Sequence, residues 1–349
     1  MARRTPRTRA RRPPSPTAID WLLDPSQPSV RYRTLTELLG RPSTDPEVRE
    51  AKGRILRVGF AADLLQGRDP AGWWVNGESL YTPKYLATNW CMLALADLGA
   101  DRSDPEVRRS CELWMERTAL KGGGVGGNSK GTGHHCLVGN MTRALIHLGY
   151  GDDPRIRRSL EWLVETADPK GGWSCFEKGR NLDSWEGLGA FAAYPRARWT
   201  PSMRACVERG AEFFLERELH RQGASYAPWY RFHYPVHYYY DVLVGLDVLT
   251  SLGYGDDPRL GFALGLLRRK RRKDGRWNLD AEHPDVEGAL ATWFAGHPAR
   301  RPIPLHLESP GAPSKMITLT ALKVLARVAG GGAEPVVGPD GFEPSTDRL

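Results

Sequence analysis

The chain has 349 residues, 40% of them hydrophobic, which is enough for one large domain or two small ones. No apolar run reaches the roughly eighteen residues of a transmembrane helix, and the basic N-terminus lacks the apolar segment of a secretory signal. Of the net charge of +8, an Arg- and Pro-rich leader carries +6, so the remainder of the chain carries +2. We therefore expect a cytoplasmic protein.

The composition predicts three regions: a disordered basic leader over 1–17, a folded domain over 18–329, and a disordered tail over 330–349. The leader is interpreted as a solvated tail, with binding to nucleic acid or an anionic membrane as the alternative. The basic run 268–273 is also interpreted as solvated, because it ends a predicted helix and complements the helix dipole. Its alternative is a peripheral membrane contact or an anionic ligand. No specific nucleic-acid motif occurs.

An internal repeat organises the folded region. The string LGYGDDPR begins at Leu148 and again at Leu252, 104 residues apart, which corresponds to two periods of about fifty-two residues. Weaker copies begin at Leu35, Leu95 and Leu188, and a last helix is expected over 315–328. The chain therefore consists of five to six similar units.

Each unit has the same order of signals. A helix ends in Leu-Gly, where Gly supplies a left-handed cap, and Asp-Pro then begins a second helix, as at Asp153 and Asp257. The second helix ends in a loop rich in Gly and Trp; these loops cover 69–74, 121–127, 168–173 and 273–277. The units could stack as an open solenoid. Because the loops are long, we instead predict an all-α fold, a closed α/α toroid similar to an (α/α)6 barrel.

One loop carries a family resemblance. Leu64-Leu65-Gln66, followed by Gly72-Trp73-Trp74, resembles the QW repeat of squalene cyclase and other terpene cyclases, and 168–173 and 273–277 resemble weaker forms. These enzymes share a superfamily with protein prenyltransferases. The resemblance implies a single α/α toroid over 30–328 that is squalene-cyclase-like or prenyltransferase-like. The acidic DxDD motif of the cyclases and the Asp-x-Cys motif of the prenyltransferases are both absent from the sequence.

Three segments at equivalent positions of successive units hold the polar residues suited to chemistry: 133–140, 173–186 and 226–241. If the helices form a ring, these segments meet at one rim. The candidate catalytic residues are Asp183, His237, Asp241 and His135. His237 and Asp241 lie four residues apart, so in a helix they would share one face as a base and its orienting carboxylate, or as metal ligands.

The same segments allow a tentative zinc site. Thiolate and imidazole ligands suit zinc in tetrahedral geometry, and the candidate ligands are Cys136, Cys175, His233 and His237. The odd count of five cysteines and their wide spacing favour free thiols or metal ligands over disulfides. A polar site without metal and purely structural hydrogen bonding remain open.

Aromatic side chains are expected to line the cavity of the toroid. Ring faces stabilise cations, and they also pack against a polyprenyl chain or stack on a sugar. The candidate substrate-binding residues are Tyr81, Tyr85, Trp90, Trp185, Trp229, Tyr238, Asn140 and Asn181. Lys84 either meets a diphosphate or is solvated.

We therefore predict an enzyme that binds a polyprenyl or terpenoid substrate, a small-molecule or lipid-like partner. The first alternative is a carbohydrate-active (α/α)6 lyase or hydrolase, which would require two converging carboxylates. The second is a non-catalytic toroid that binds a lipid or a protein, since one fold hosts several functions.

Overall fold

The structure, a computed structural model, describes residues 17–175, 181–222, 226–282, 288, 291 and 307–330. These regions are helical, which confirms the all-α prediction for them. Apart from Thr17 and Gly330, the predicted leader and tail lie outside the described residues. In the described part of the chain, no helix has the length and apolar character needed to cross a membrane.

The helices of the described residues are numbered in chain order. They are α1 (Ala18–Leu22), α2 (Pro28–Arg33), α3 (Pro46–Arg54), α4 (Phe60–Gln66), α5 (Thr88–Asp97), α6 (Pro105–Arg117), α7 (His135–Leu145), α8 (Pro154–Thr166), α9 (Glu186–Ala193), α10 (Pro201–Leu215), α11 (Val242–Ser251), α12 (Gly261–Arg269) and α13 (Lys315–Ala329). A π-helical turn extends α2 over Thr34–Leu38, and another extends α7 over Ile146–Tyr150.

The predicted Asp-Pro helix starts are confirmed. The carboxylates of Asp45, Asp104, Asp153 and Asp257 each accept a hydrogen bond from the backbone N–H two residues later, at 2.8–2.9 Å. Proline occupies the first position after each of them, where a helix has no use for a backbone donor. In both copies of LGYGDDPR, the second Asp of the Asp-Asp pair is therefore a helix cap.

Three of the predicted Gly- and Trp-containing loops close in the same way. In each loop a buried tryptophan donates its indole N–H to the carbonyl ten residues earlier, near the end of the preceding helix. The pairs are Trp74 with Leu64 at 2.8 Å, Trp173 with Leu163 at 3.0 Å, and Trp277 with Leu267 at 2.8 Å. The hydrogen bond satisfies a carbonyl that the helix end leaves without an intrahelical partner.

One set of helices contacts each other in chain order: α5 with α7, α7 with α9, α9 with α11, and α11 with α13. Helix α13 also contacts α2 and its π-helical turn. The guanidinium of Arg33 in α2 donates to the carbonyl of Asp97 at the end of α5, so the contacts return to their starting point. The intervening helices α6, α8, α10 and α12 contact members of this set.

Ion pairs join neighbours within this circuit of helices. Glu37 pairs with Lys323 at 2.5 Å, linking the turn after α2 to α13. Asp97 pairs with Arg143 at 2.8 Å, linking α5 to α7, and a further pair links α11 to α13. The Asp97–Arg143 pair is mostly buried, and breaking such a pair is more costly than breaking a solvent-exposed one.

Helices α7 and α9 approach closely because glycine lies at their contact. A Cβ atom at Gly139 of α7 would be 2.7 Å from the carbonyl oxygen of Glu186, and one at Gly187 would be 2.7 Å from the ring of Trp173. The absence of these side chains sets the backbone position of Glu186 at the start of α9.

Candidate functional site

Aromatic residues from two loops and one helix meet where α5 and α11 begin. We call Tyr81, Tyr85, Trp90, His237 and Tyr238 the aromatic cluster. The ring centroid of Trp90 lies 4.9 Å from that of Tyr81, 5.1 Å from that of Tyr85, 5.4 Å from that of His237 and 5.6 Å from that of Tyr238. The structure thus brings together four of the predicted substrate-binding residues and one predicted catalytic residue.

The predicted helical pairing of His237 with Asp241 is wrong. Helix α11 begins only at Val242, and His237 has a φ of +49°, in the left-handed region. Asp241 instead caps α11, accepting from the N–H of Val244 at 2.9 Å. Its other oxygen lies 2.7 Å from Nδ1 of His233. The carboxylate therefore orients His233, whereas His237 lies in the aromatic cluster.

Three phenol hydroxyls lie together beside the aromatic cluster. The hydroxyl of Tyr238 is 3.1 Å from that of Tyr85 and 3.3 Å from that of Tyr239. The hydroxyls of Tyr85 and Tyr239 also form a hydrogen bond with each other. Lys84 donates to Tyr238 at 3.2 Å, with its ammonium 5.4 Å from the centre of that ring. Burial, followed by hydrogen bonds with the two other phenols, raises the pKa of Tyr239.

Glu186 is a buried carboxyl group. The residue is 1% exposed, and neither of its carboxyl oxygens has a hydrogen-bond partner among the described residues. Burial raises the pKa of Glu186 well above its usual range, and the neighbouring Cys136 and Asp183 raise it further. The positive charge of Arg143 acts in the opposite direction as a smaller influence. Burial therefore favours the neutral carboxylic acid form of Glu186.

The start of α9 is tied to the aromatic cluster. The indole of Trp185 donates to the carbonyl of Tyr238 at 3.4 Å, and the guanidinium of Arg143 lies 5.5 Å from the Trp185 ring. Asn140 donates to the carbonyl of His237 and accepts from Arg143 at 3.2 Å. These contacts place Glu186, the residue after Trp185, next to the aromatic cluster.

Cys136 and Cys175 lie next to two residues that contact each other, because Nδ1 of His135 lies 2.8 Å from the carbonyl oxygen of Ser174. Cys136 is the second residue of α7, and Cys175 follows the loop that closes on Trp173. A hydrogen bond from Cys175 lowers the pKa of Cys136, aided by backbone N–H groups at the start of α7. The same bond, together with burial, raises the pKa of Cys175. The pKa values of the two thiols are therefore shifted in opposite directions.

The four proposed zinc ligands do not fit a zinc site. His233 is bound to Asp241 and lies 3.3 Å from the carbonyl of Val236, while His237 packs in the aromatic cluster. Across the described ranges, no group of three or more His, Cys, Asp or Glu side chains is placed to hold a metal ion. A structural or catalytic zinc requires at least three protein ligands.

The remaining predicted residues have other neighbours. Asp183 accepts from the indole of Trp229 at 2.9 Å, and burial raises its pKa. Trp229 packs on Tyr240, at 5.8 Å between ring centroids, outside the aromatic cluster. His135 binds the carbonyl of Ser174 through Nδ1 at 2.8 Å, and Asn181 accepts from the hydroxyl of Ser184 at 2.7 Å. The contacts of His135 and Asn181 are those of loop-stabilising residues.

A small cavity lies beside His233. Its volume is about 30 Å³, and Arg231, Tyr239, Tyr240 and Glu282 contribute to its walls. Such a space holds about two water molecules and is too small for a prenyl chain.

The sequence predicts Glu186 only as one of the carboxylates, with Asp183 and Asp241, that a carbohydrate-active enzyme would use, and not as a proton donor to an alkene. The sequence does contain a signal, because Glu186 is the only polar residue of α9, EGLGAFAA. A single acid in an otherwise apolar helix is either a helix start or a buried functional group. Spacing alone does not distinguish the two, since both place an acid in the first turn.

No protein-family model matches the chain. It is 27% identical over 192 residues to the terpene cyclase-glycosyl transferase fusion protein fsoA of Humicola fuscoatra, covering 48% of this chain and 13% of that protein. The chain thus spans about an eighth of the length of that relative.

Solved structures of the type II terpene cyclase MstE from Scytonema also align with the chain. The apo form gives 15% identity and a TM-score of 0.31, covering 81% of this chain and 98% of that one. A variant in complex with its substrate, geranylgeranyl dihydroxybenzoate, gives 14% identity and a TM-score of 0.30, covering 81% and 97%. Similarity this low carries no argument about fold or activity.

Proposed function

We propose that the protein cyclises an isoprenoid alkene by protonating it, with Glu186 as the proton donor. The observation that carries this proposal is the carboxyl of Glu186 next to the aromatic cluster: it is buried, it has no hydrogen-bond partner among the described residues, and burial raises its pKa. The partial similarity to a relative named as a terpene cyclase fusion protein supports the same choice. A terpenoid-type small molecule is the expected substrate.

The proposed reaction keeps the substrate's formula. The O–H bond of Glu186 breaks and a C–H bond forms at one alkene carbon, leaving a carbocation on the other carbon and a carboxylate on Glu186. The π electrons of a second alkene then attack the cation and close a ring, and loss of a proton ends the reaction. The ring faces of Trp90 and Tyr85 would stabilise the cation, and the charge of Arg143 would stabilise the carboxylate.

Substrate entry requires the aromatic cluster to open. The space beside His233, about 30 Å³, does not accommodate an isoprenoid chain. Tyr81, which is 36% exposed, is the most exposed member of the cluster, whereas Trp90 is 1% exposed. We therefore propose that substrate enters past Tyr81, with Lys84 and the three phenol hydroxyls on that side.

The α/α toroid is part of the same proposal. The chain-order contacts from α5 to α13, with the return through α2 to α5, support a closed ring of inner helices. The recurring Asp caps and indole hydrogen bonds support a helix-pair repeat. In such a ring, the aromatic cluster and Glu186 would lie at one end of the central cavity.

The test is incubation of the full chain in D₂O with squalene and with geranylgeranyl diphosphate, followed by mass spectrometry of extracted products. We expect a cyclic isomer that gains one deuterium, with its formation reduced about 10²- to 10⁴-fold in Glu186→Gln, the contribution typical of a general acid. The matched control is Glu116→Gln, which changes an exposed glutamate on α6 and should leave the rate unchanged. If the two variants have equal activity, Glu186 is not the donor.

One observation favours a second candidate, a carbohydrate-active enzyme. Asp183 and Glu186 lie three residues apart, and the pKa values of both are raised by burial. Two such carboxyls are the minimum for glycoside hydrolysis. Release of reducing sugars from a polysaccharide panel, lost in both Asp183→Asn and Glu186→Gln, together with inactivity towards isoprenoids, would replace the cyclase proposal with this one.

A further inference from the structure

A mostly buried arginine of α7 lies against the first turns of α9. Arg143 follows Gly139 by four residues, and a Cβ atom at Gly139 would be 2.7 Å from the carbonyl oxygen of Glu186. The Cδ atom of Arg143 lies 3.5 Å from the position of a Cβ atom added to Gly189, which shares a face of α9 with Glu186, three residues earlier. The guanidinium is 5.5 Å from the ring centre of Trp185. Arg143 therefore packs along the part of α9 that contains Glu186.

The guanidinium of Arg143 is held by two residues other than Glu186. Its Nη1 donates to Asp97, at the end of α5, at 2.8 Å, and its Nη2 donates to Asn140 at 3.2 Å. Among the described residues, its buried Nε has no hydrogen-bond partner, and the carboxyl oxygens of Glu186 have none either. At one helix contact, α7 thus has an unpaired donor and α9 has two unpaired acceptors.

We propose that Asp97 is a positioning residue for the proton donor: by binding Arg143, it prevents the guanidinium from pairing with the carboxyl group of Glu186. The hydrogen bonds of Arg143 and its packing against α9 carry this inference. The effect of Asp97 on catalysis rests on the proposed function.

The physical reason is that an ion pair with Arg143 is available only to the ionised form of Glu186. An arginine beside a carboxylate favours the charged form. While Asp97 balances the charge of Arg143, the effect of burial prevails and the pKa of Glu186 is raised. Without the Asp97 carboxylate, an ionised Glu186 would supply the guanidinium with a new counter-ion, and a mostly buried charge is costly to leave unpaired. Glu186 would then lack the proton that the alkene requires.

Other ionisable groups around Glu186 do not compete with Arg143 for it. Those that interact with it electrostatically include Tyr81, Cys136, Cys175 and Asp183. Each of these groups is neutral or negative, so none can form an ion pair with a carboxylate. Cys136 and Asp183 raise the pKa of Glu186, whereas the charge of Arg143 lowers it.

The test removes the Asp97 carboxylate and measures the protonation of Glu186 without substrate. Infrared difference spectra in D₂O at neutral pH compare the wild type with Glu186→Gln, and Asp97→Ala with the double variant that also contains Glu186→Gln. We expect the C=O band of a protonated carboxylic acid in the first spectrum, and its replacement by the bands of an ionised carboxylate in the second. Adding Arg143→Met to both members of the second comparison should restore the C=O band, because the competing cation is gone.

Asp247→Ala is the matched control. Asp247 pairs with Arg327 at 2.7 Å and links α11 to α13, as Asp97 links α5 to α7, so its loss weakens a helix contact without releasing Arg143. The C=O band of Glu186 should persist in this background. Asp97→Asn, which keeps the shape of the side chain and removes its charge, replaces Asp97→Ala if that variant does not fold.

A C=O band in both the wild type and the Asp97 variant would overturn the proposal, since Asp97 would then only join two helices. Loss of the band that Arg143→Met does not restore would overturn it as well, because Arg143 would not be the cause. Neither result bears on cyclisation, which the product assay tests separately. A wild type without the band would contradict the protonated Glu186 on which both proposals depend.

The cyclisation assay adds a second readout. If the wild type forms a cyclic product, Asp97→Ala should form it about 10²- to 10⁴-fold more slowly, the loss typical of a missing general acid. Asp247→Ala should lose far less activity. Equal rates for the two variants would contradict the positioning role of Asp97.

Discussion

Replacing Glu186 with glutamine should stabilise the protein relative to the wild type. The difference in the free energy of unfolding should grow as the pH rises above about 4.5, the ordinary pKa of a glutamate. In the folded chain burial raises the pKa of Glu186 well above that value, whereas the unfolded chain keeps the ordinary one. Between the two pKa values the folded state binds one more proton than the unfolded state, so its stability falls with rising pH. Glutamine has no proton to lose and lacks this dependence.

The magnitude follows from the linkage. The free energy of unfolding of Glu186→Gln, minus that of the wild type, should increase by about 1.4 kcal/mol per pH unit within this window and then level off. Because Glu186 is 1% exposed, solvent screening should reduce the effect little. Titrating groups that do not interact with Glu186 are common to both proteins and cancel in the difference.

The assay is urea unfolding of both proteins at constant ionic strength, between about pH 5 and 8, in steps of half a unit. Glu116→Gln, at an exposed position, should show a difference that does not vary with pH. A difference for Glu186→Gln that is equally flat would mean that Glu186 is ionised in the folded protein. This result would refute the hypothesis that Glu186 is a neutral acid in the folded protein.

Two further predictions concern the packing that positions the site. Gly139→Ala should destabilise the protein by about 1–3 kcal/mol in thermal or urea unfolding, because its Cβ would lie 2.7 Å from the carbonyl oxygen of Glu186. The control Gly53→Ala has no heavy atom within 4 Å of the added carbon and should not destabilise the protein. Equal losses of stability in the two variants would contradict the close approach of α7 and α9. Lys323→Met, which removes one member of a mostly buried ion pair, should cost about 1 kcal/mol or more, whereas Arg157→Met in an exposed pair should cost less than about 0.5 kcal/mol. Similar values for the last two variants would argue against a role of the ion pair in joining α13 to the turn after α2.

The helix starts and the Trp loops were predictable from sequence because they depend on short-range chemistry. An Asp-Pro pair caps a helix through the next two residues, as at Asp153, and needs no distant partner. The indole of Trp173 binds a carbonyl ten residues back, within one unit of the repeat. Such features recur wherever the local sequence recurs.

The arrangement of the site depended on contacts between distant segments. The pairing of His237 with Asp241 assumed a helix, but α11 begins after both residues, and Asp241 instead caps the helix and orients His233. The hydrogen bond between His135 and the carbonyl of Ser174 spans two units. Glu186 lacks a hydrogen-bond partner among the described residues because of its folded surroundings. A single acid in an apolar helix is a sign of such a position but does not establish it.

The most direct test of the central claim is the protonation state of Glu186 in the folded protein. An infrared difference spectrum of wild type minus Glu186→Gln, recorded in D₂O at neutral pH, isolates this carboxyl group without any substrate. We expect a positive C=O band of a protonated carboxylic acid, because burial keeps the pKa of Glu186 raised. A difference spectrum that contains only the bands of an ionised carboxylate would contradict it.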